Sequence, residues 1–149
     1  MRITVLAVAS FVCVNFVAAL VQAGGAEPVA NVWDGIYSAK QAIRGKRVFD
    51  EKDCITCHSE DGSHGDDGIP PITGPYFMTR WDGESIGDIY AFIAENMPRT
   101  KPGSLMPEDI ADVIAYLLKL NELPAGPAPL SAEAVMLKTV MFTETAPAR

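Results

Sequence analysis

Two cysteines and a histidine lie within five consecutive residues, Cys54-Ile55-Thr56-Cys57-His58. Cysteines three positions apart lie on one helical turn, so both thiols can reach the two vinyl groups on one edge of a porphyrin. The histidine that follows at once then projects under the iron. Because this spacing is the pattern of covalent haem attachment, the sequence predicts one haem c bound through Cys54 and Cys57, with His58 as the proximal iron ligand.

Three other interpretations of this motif remain open. A thioredoxin-like cysteine pair would follow a strand in a βαβ unit, and the sequence has no such pattern. A zinc site could use Cys54, Cys57, His58 and His64, but ligands this close together would fit a tetrahedron poorly. A chance match in an unrelated helix is the third interpretation.

The first 23 residues are predicted to be a secretory signal peptide. Arg2 provides the positive start, an apolar run follows, and residues 21–23 form a small-residue cleavage site. An uncleaved membrane anchor is the alternative, because the run approaches the roughly 20 residues that a spanning helix needs. With Cys13 inside the signal, the exported chain would hold only Cys54 and Cys57 and no long-range disulfide. We therefore expect a periplasmic protein that meets the membrane only if the signal is retained.

The charge balance narrows the classes of partner. The 149 residues include 12 Lys and Arg against 19 Asp and Glu, a formal net charge of −7. An acidic surface argues against nucleic acid as a partner. It would suit a redox protein with a basic docking patch, because charge complementarity steers encounters between proteins.

Three amphipathic helices are predicted between long loops. Ser38 caps a helix over residues 39–51, whose inward side is assigned to Ala42, Ile43, Gly45 and Phe49. Ser85 caps a second helix to about residue 96, and Pro107 begins a third. Residues 59–84 and 97–105 are predicted to be loops because they are rich in glycine and proline.

The chain divides into four predicted parts. Residues 1–23 are the signal, 24–37 a lead-in, 38–123 the folded domain, and 124–149 a Pro-rich extension in which residues 131–140 could form a short helix. No pairing of strands is indicated. So much loop beside three helices leaves a small core, which argues for a large apolar prosthetic group.

Over about residues 39–121 the chain resembles the monohaem class I cytochromes c. The likeness rests on the haem motif, a Pro-rich loop after it, a Met-Pro pair, Gly45 and Phe49 in the first helix, and Tyr116 in the last. It implies an all-α class I cytochrome c fold, with three main helices and long loops wrapped around one covalent haem. In that family the first and last helices cross through the contacts assigned here to Gly45, Phe49 and Tyr116.

Three methionines are candidates for the sixth iron ligand. Met97 and Met106 both precede proline, which favours extended backbone at each. Met106 lies at the cap of the third helix and could simply cover it, whereas Met97 follows the second helix. The resemblance favours Met97, with Met106 as the fallback. Met78, His64 or no ligand are the remaining alternatives, and His64 is interpreted as a solvated loop residue.

Three further residues are assigned to the surroundings of the haem. The resemblance implies that the Pro70 carbonyl accepts a hydrogen bond from the proximal imidazole, which would fix the ring and tune the iron. Arg80 and Trp81 are predicted to reach a haem propionate. The alternative for Trp81 is a packing residue with an amphipathic ring.

A narrower likeness concerns function. Several short motifs are similar to those of the small cytochromes found beside PQQ-dependent alcohol dehydrogenases: residues 33–37, Gln41-Ala42, Arg44-Gly45, Phe77, Arg80-Trp81 and residues 102–105. The likeness implies a periplasmic one-electron carrier, with His/Met ligation that raises its potential, between a quinoprotein dehydrogenase and a terminal oxidase. It would not be an enzyme. The alternatives are a tightly bound cytochrome subunit of a dehydrogenase, or a haem enzyme or gas-binding module with an open sixth position.

Overall fold

The computed structural model of the protein describes residues 30–65 and 68–148. The predicted signal peptide lies outside these residues, and the division of the chain into four parts stays a prediction. Within the described part, no helix is long and apolar enough to cross a membrane.

The structure is mainly helical, and the three predicted helices are confirmed. Ser38 and Ser85 cap α1 and α3 through their side chains, and Asp88 completes a reciprocal capping box with Ser85. Pro107 opens the longest helix. The helices are α1 (Ala39–Glu51), α2 (Gly74–Trp81), α3 (Ile86–Asn96), α4 (Pro107–Leu120) and α5 (Ala134–Leu137).

Helices α1 and α4 cross in direct contact at Gly45. A Cβ atom on Gly45 would overlap the backbone carbonyl of Asp112 and lie 2.9 Å from Tyr116 Cβ. The ring centroids of Phe49 and Tyr116 are 5.4 Å apart in an edge-to-face arrangement. Beside this contact, the half-exposed Arg44 side chain donates two hydrogen bonds of 2.7 Å to the Asp112 carboxylate. The crossing implied by the family resemblance is therefore confirmed.

The predicted inward side of α1 was wrong at one position. Ile43 is 65% exposed, whereas Gln41 and Val48 are buried beside Ala42 and Phe49. The buried positions follow the 3.6-residue helical period, which turns position 43 away from α4. Gln41 tolerates burial because its amide makes two hydrogen bonds with the backbone of Leu130, at 3.0 and 2.6 Å.

Gly45→Ala should lower the free energy of unfolding of the haem-loaded protein by about 3 kcal/mol, since overpacking of a close contact costs roughly 1–3 kcal/mol and rigid backbone is the obstacle. This loss should outweigh the roughly 1 kcal/mol by which Ala favours a helix over Gly. Denaturant unfolding would measure the change, with Ile43→Ala on the exposed side of α1 as a near-neutral control. Unchanged or increased stability of Gly45→Ala would contradict the observed crossing.

Helix α2 corrects the prediction that residues 59–84 form only loop. Pro75 lies in its first turn, where a missing backbone N–H is tolerated. Phe77 and Trp81, four residues apart, are both buried on one side. The glycines and prolines that mark this stretch as loop also delimit a short helix, and composition alone could not separate the two.

The lead-in and the extension pair with each other, which the sequence did not indicate. Strands β1 (Ala30–Asn31) and β2 (Val140–Met141) form a two-stranded parallel sheet. Trp33 Nε1 donates to the carbonyl of Thr143 at 3.0 Å, and the Tyr37 hydroxyl donates to the carbonyl of Leu123 at 2.7 Å. We call residues 124–148 the strap. Two-residue strands that pair across more than 100 residues have no local periodicity, so their pairing depends on the tertiary structure.

Candidate cofactor site

The cysteine motif forms a compact turn directly after α1. Asp53 adopts a left-handed conformation with φ of 57°, and a 3₁₀ turn follows over Cys54–Thr56. The backbone N–H groups of Cys57 and His58 donate to the Cys54 carbonyl at 3.2 and 2.9 Å. Both cysteines are half-buried and carry free thiols. The turn thus holds the two thiols and the imidazole close together at the end of a rigid helix.

These residues line a cavity of about 770 Å³. Its volume lies within the roughly 300–1,000 Å³ typical of cofactor and ligand sites. The walls come from α1, the motif, the loop before α2, α2 itself, α3, the loop after α3, and α4. Every residue assigned to haem binding from the sequence lines it: Cys54, Cys57, His58, Pro70, Arg80, Trp81 and Met97.

The tertiary structure separates the candidate methionines. Among the described residues that line the cavity, Met97 is the one methionine. It follows α3 with extended backbone, and its N–H donates to the Ile93 carbonyl at 2.9 Å. Met106 is 62% exposed at the start of α4, and Met78 packs against the protein core. The cavity therefore brings Met97, and neither alternative methionine, together with His58.

The His58 ring fits a metal-binding role. The ring makes no hydrogen bond through its buried Nδ1 atom, so no other residue engages that nitrogen. Desolvation by burial lowers the pKa of His58, which favours the neutral imidazole that binds metals. Together with the large apolar cavity and the adjacent thiols, this ring forms a donor set that suits a covalently attached haem.

The expected hydrogen bond from His58 to the Pro70 carbonyl is not formed in this structure. Both residues line the cavity, but Nδ1 has no partner. The end of the loop is held elsewhere, because the Ile72 N–H donates to the Gly62 carbonyl at 2.9 Å.

Asn121, which sequence reasoning missed, fixes the same loop to the end of α4. Its Nδ2 donates to the Ile72 carbonyl at 3.1 Å, and its Oδ1 accepts from the Gly74 N–H at 2.9 Å. The amide thereby stands in for the capping bond that Thr73 does not make at the start of α2. An asparagine after a helix indicates a local cap, and no sequence pattern links it to a partner 47 residues away.

Two arginines and two aromatic rings are among the residues that line the cavity. Arg80 Cζ lies 4.5 Å from the centroid of the Trp81 ring, and Trp81 packs edge-to-face against Phe92 at 5.7 Å. Trp81 thus packs against a neighbouring ring and also lines the cavity, and its contact with a haem propionate stays a prediction. Arg99 also lines the cavity but was not predicted. The sequence feature that could have identified Arg99 is its position two residues after Met97, the predicted iron ligand.

The structure disfavours the thioredoxin and zinc interpretations of the motif. The motif follows helix α1 rather than a strand of a βαβ unit, and burial raises the pKa of the Cys54 thiol to about 11, whereas a redox-active cysteine has a lowered pKa. His64 lies exposed in a separate turn, where it contacts Ser63 through Nδ1 at 3.1 Å. In residues 30–65 and 68–148, no group of three or more His, Cys, Asp or Glu side chains could hold a metal ion.

A protein-family model described as cytochrome c oxidase, cbb3-type, subunit III matches residues 40–117. The matched region covers just over half of the chain and includes the motif, nearly all of α1, the whole of α2 and α3, and most of α4. The chain belongs to this family of c-type cytochromes. The cytochrome domain therefore carries covalently bound haem c and serves electron transfer, and its all-α class I fold is confirmed.

One curated relative supports the same class of protein. A thiosulfate dehydrogenase of Stutzerimonas stutzeri (strain A1501) is 35% identical over 89 residues, which are 56% of this chain and 28% of the relative. The chain thus spans less than a third of that enzyme's length. No solved structure gives a significant match.

Proposed function

We propose that this cytochrome is an exported one-electron carrier with thioether bonds from Cys54 and Cys57 to the haem, and with His58 and Met97 as axial ligands. The observation that carries the proposal is the shared cavity. It collects the motif and Met97, while Met106 points to solvent. The haem supplies reversible ferric–ferrous exchange, and His/Met ligation favours a high potential.

The residues around the cavity support electron transfer rather than chemistry on a substrate. With His58 and Met97 both bound to iron, no position remains open for a small molecule. Phe77, Trp81 and Phe92 give part of the cavity an apolar lining, since Trp81 packs against each of the other two rings. Arg80 and Arg99 line the same cavity and would balance the carboxylates of a haem.

We infer that the electron donor is a PQQ-dependent dehydrogenase and the acceptor a terminal oxidase, both outside the cytoplasm. The likeness of the short motifs to cytochromes of such systems supports this pairing. Three residues of those motifs, Trp33, Tyr37 and Gln41, are engaged in hydrogen bonds with residues 123–143. They therefore support a shared architecture more directly than a shared docking face.

A second candidate function is that of a cytochrome domain or subunit acting in thiosulfate oxidation. The partial likeness to a thiosulfate dehydrogenase favours it. Under this alternative the ferric protein, alone or in complex, would accept electrons that derive from thiosulfate. The same protein preparation can distinguish the two candidates.

Stopped-flow mixing would test the proposal. The ferric protein should be reduced by a PQQ-dependent alcohol dehydrogenase supplied with alcohol, and should not be reduced by thiosulfate alone. Dehydrogenase without alcohol is the control. A terminal oxidase should then reoxidise the ferrous cytochrome that the dehydrogenase has produced. A high-spin ferric spectrum, or fast reduction by thiosulfate alone, would contradict a closed carrier and favour the enzyme alternatives.

A further inference from the structure

The strap lies beyond the family match, which ends at residue 117, yet it reaches the wall of the cavity. Phe142 of the strap is completely buried. Its ring is 5.8 Å from the ring of Phe77 in an edge-to-face arrangement, and Phe77 lines the cavity. We propose that Phe142 is a positioning residue for the haem crevice, so that the C-terminal strap is part of the redox site.

Hydrogen bonds hold Phe142 at the turn between α2 and α3. The Gly83 N–H donates to the Phe142 carbonyl at 3.0 Å, and the Phe142 N–H donates to the Glu84 carbonyl at 2.8 Å. Two residues later, the Glu144 N–H donates to the Asp82 carboxylate at 2.8 Å. These bonds therefore fix the Phe142 ring next to the residues that follow α2.

Hydrogen bonds from the lead-in also fix Thr143, the residue next to Phe142 in the strap. Asn31 Nδ2 donates to Thr143 Oγ1 at 3.1 Å, and Trp33 Nε1 donates to the Thr143 carbonyl. The lead-in thus holds the residue next to Phe142 in place. A bond network on both sides of one buried ring indicates that the position of this ring, rather than only its burial, is determined by the fold.

Aromatic contacts connect Phe142 to the haem side of the wall. Phe77 contacts Trp81 at 6.4 Å between centroids, and Trp81 contacts Phe92 at 5.7 Å. All three rings line the cavity. Because protein interiors are close-packed, removal of the Phe142 ring leaves space into which Phe77 and Trp81 can relax.

Relaxation of the aromatic rings at this wall should change the reduction potential of the haem. Water that enters beside the haem stabilises the more highly charged ferric state, and burial is one of the factors that set a haem potential. Removal of a ring that never touches the haem should therefore make reduction less favourable. A residue with a merely structural role would lower stability and leave the potential unchanged.

The test measures the midpoint potential of haem-loaded variants. Phe142→Ala should lower the equilibrium constant for reduction on the order of tenfold, which corresponds to 59 mV for a one-electron couple. Phe142→Leu, which keeps an apolar side chain, should fold readily and shift the constant in the same direction by about threefold. Leu130→Ala is the control, because Leu130 is buried in the same strap but fixed to Gln41 on α1. It should change the constant by less than about twofold.

Two outcomes would overturn the inference. Potentials of both Phe142 variants within twofold of wild type would show that the strap does not act on the crevice. An equal shift in Leu130→Ala would show that any damage to the strap has the same effect. The inference needs the covalent haem but not Met97 as its ligand. A wild-type spectrum without methionine coordination would therefore refute the proposed function and leave this test intact.

Discussion

Met97→Ala should remove the sixth iron ligand and convert a closed haem into one with an open position. The weak methionine-to-iron charge-transfer band at the red edge of the ferric spectrum should disappear, and added imidazole should bind. The potential should fall by on the order of 0.1 V, since axial ligands set haem potentials over about 0.8 V. The physical reason is the position of Met97, because it alone among the described methionines lines the cavity together with His58.

Met106→Ala is the matched control for this experiment. Met106 also precedes a proline and follows a loop, but its side chain is exposed at the start of α4. This variant should keep the charge-transfer band and the wild-type potential. A band that survives in Met97→Ala and is lost in Met106→Ala would reverse the assignment, and a band absent from wild type would favour an open iron.

Cys57→Ser should reduce the yield of haem-loaded protein sharply. One of the two thioether bonds is lost, so haem that remains attached through Cys54 should show an α-band at longer wavelength. The consequence for folding is large as well, because without haem the apolar walls of a cavity of about 770 Å³ lose the group that packs against them. Chains without haem should therefore fail to accumulate.

Ile55→Ala within the same motif is the control. Ile55 is 45% exposed and does not line the cavity, so its truncation should leave haem attachment intact. The measurements are haem staining after denaturing electrophoresis and the α-band of the pyridine haemochrome. Normal yield and a wild-type α-band in Cys57→Ser would refute the attachment assigned to this cysteine.

The sequence by itself determined the features whose causes are local. The haem motif occupies five consecutive residues, and its chemistry depends on their spacing alone. The starts of α1, α3 and α4 follow from Ser38, Ser85 and Pro107, because caps act within one helical turn. The 3.6-residue period also predicted most of the buried side of α1, where Ala42, Gly45 and Phe49 are buried and Ile43 is not.

The tertiary structure decided the features that depend on residues far apart in the chain. Met97 and Met106 have the same local signals, and only the path of the loop between α3 and α4 leaves one at the cavity and the other in solvent. Asn121 and Phe142 act on α2 from 47 and 65 residues away. Such contacts arise from how α1, α4 and the strap pack, and no periodicity or cap within a short segment encodes them.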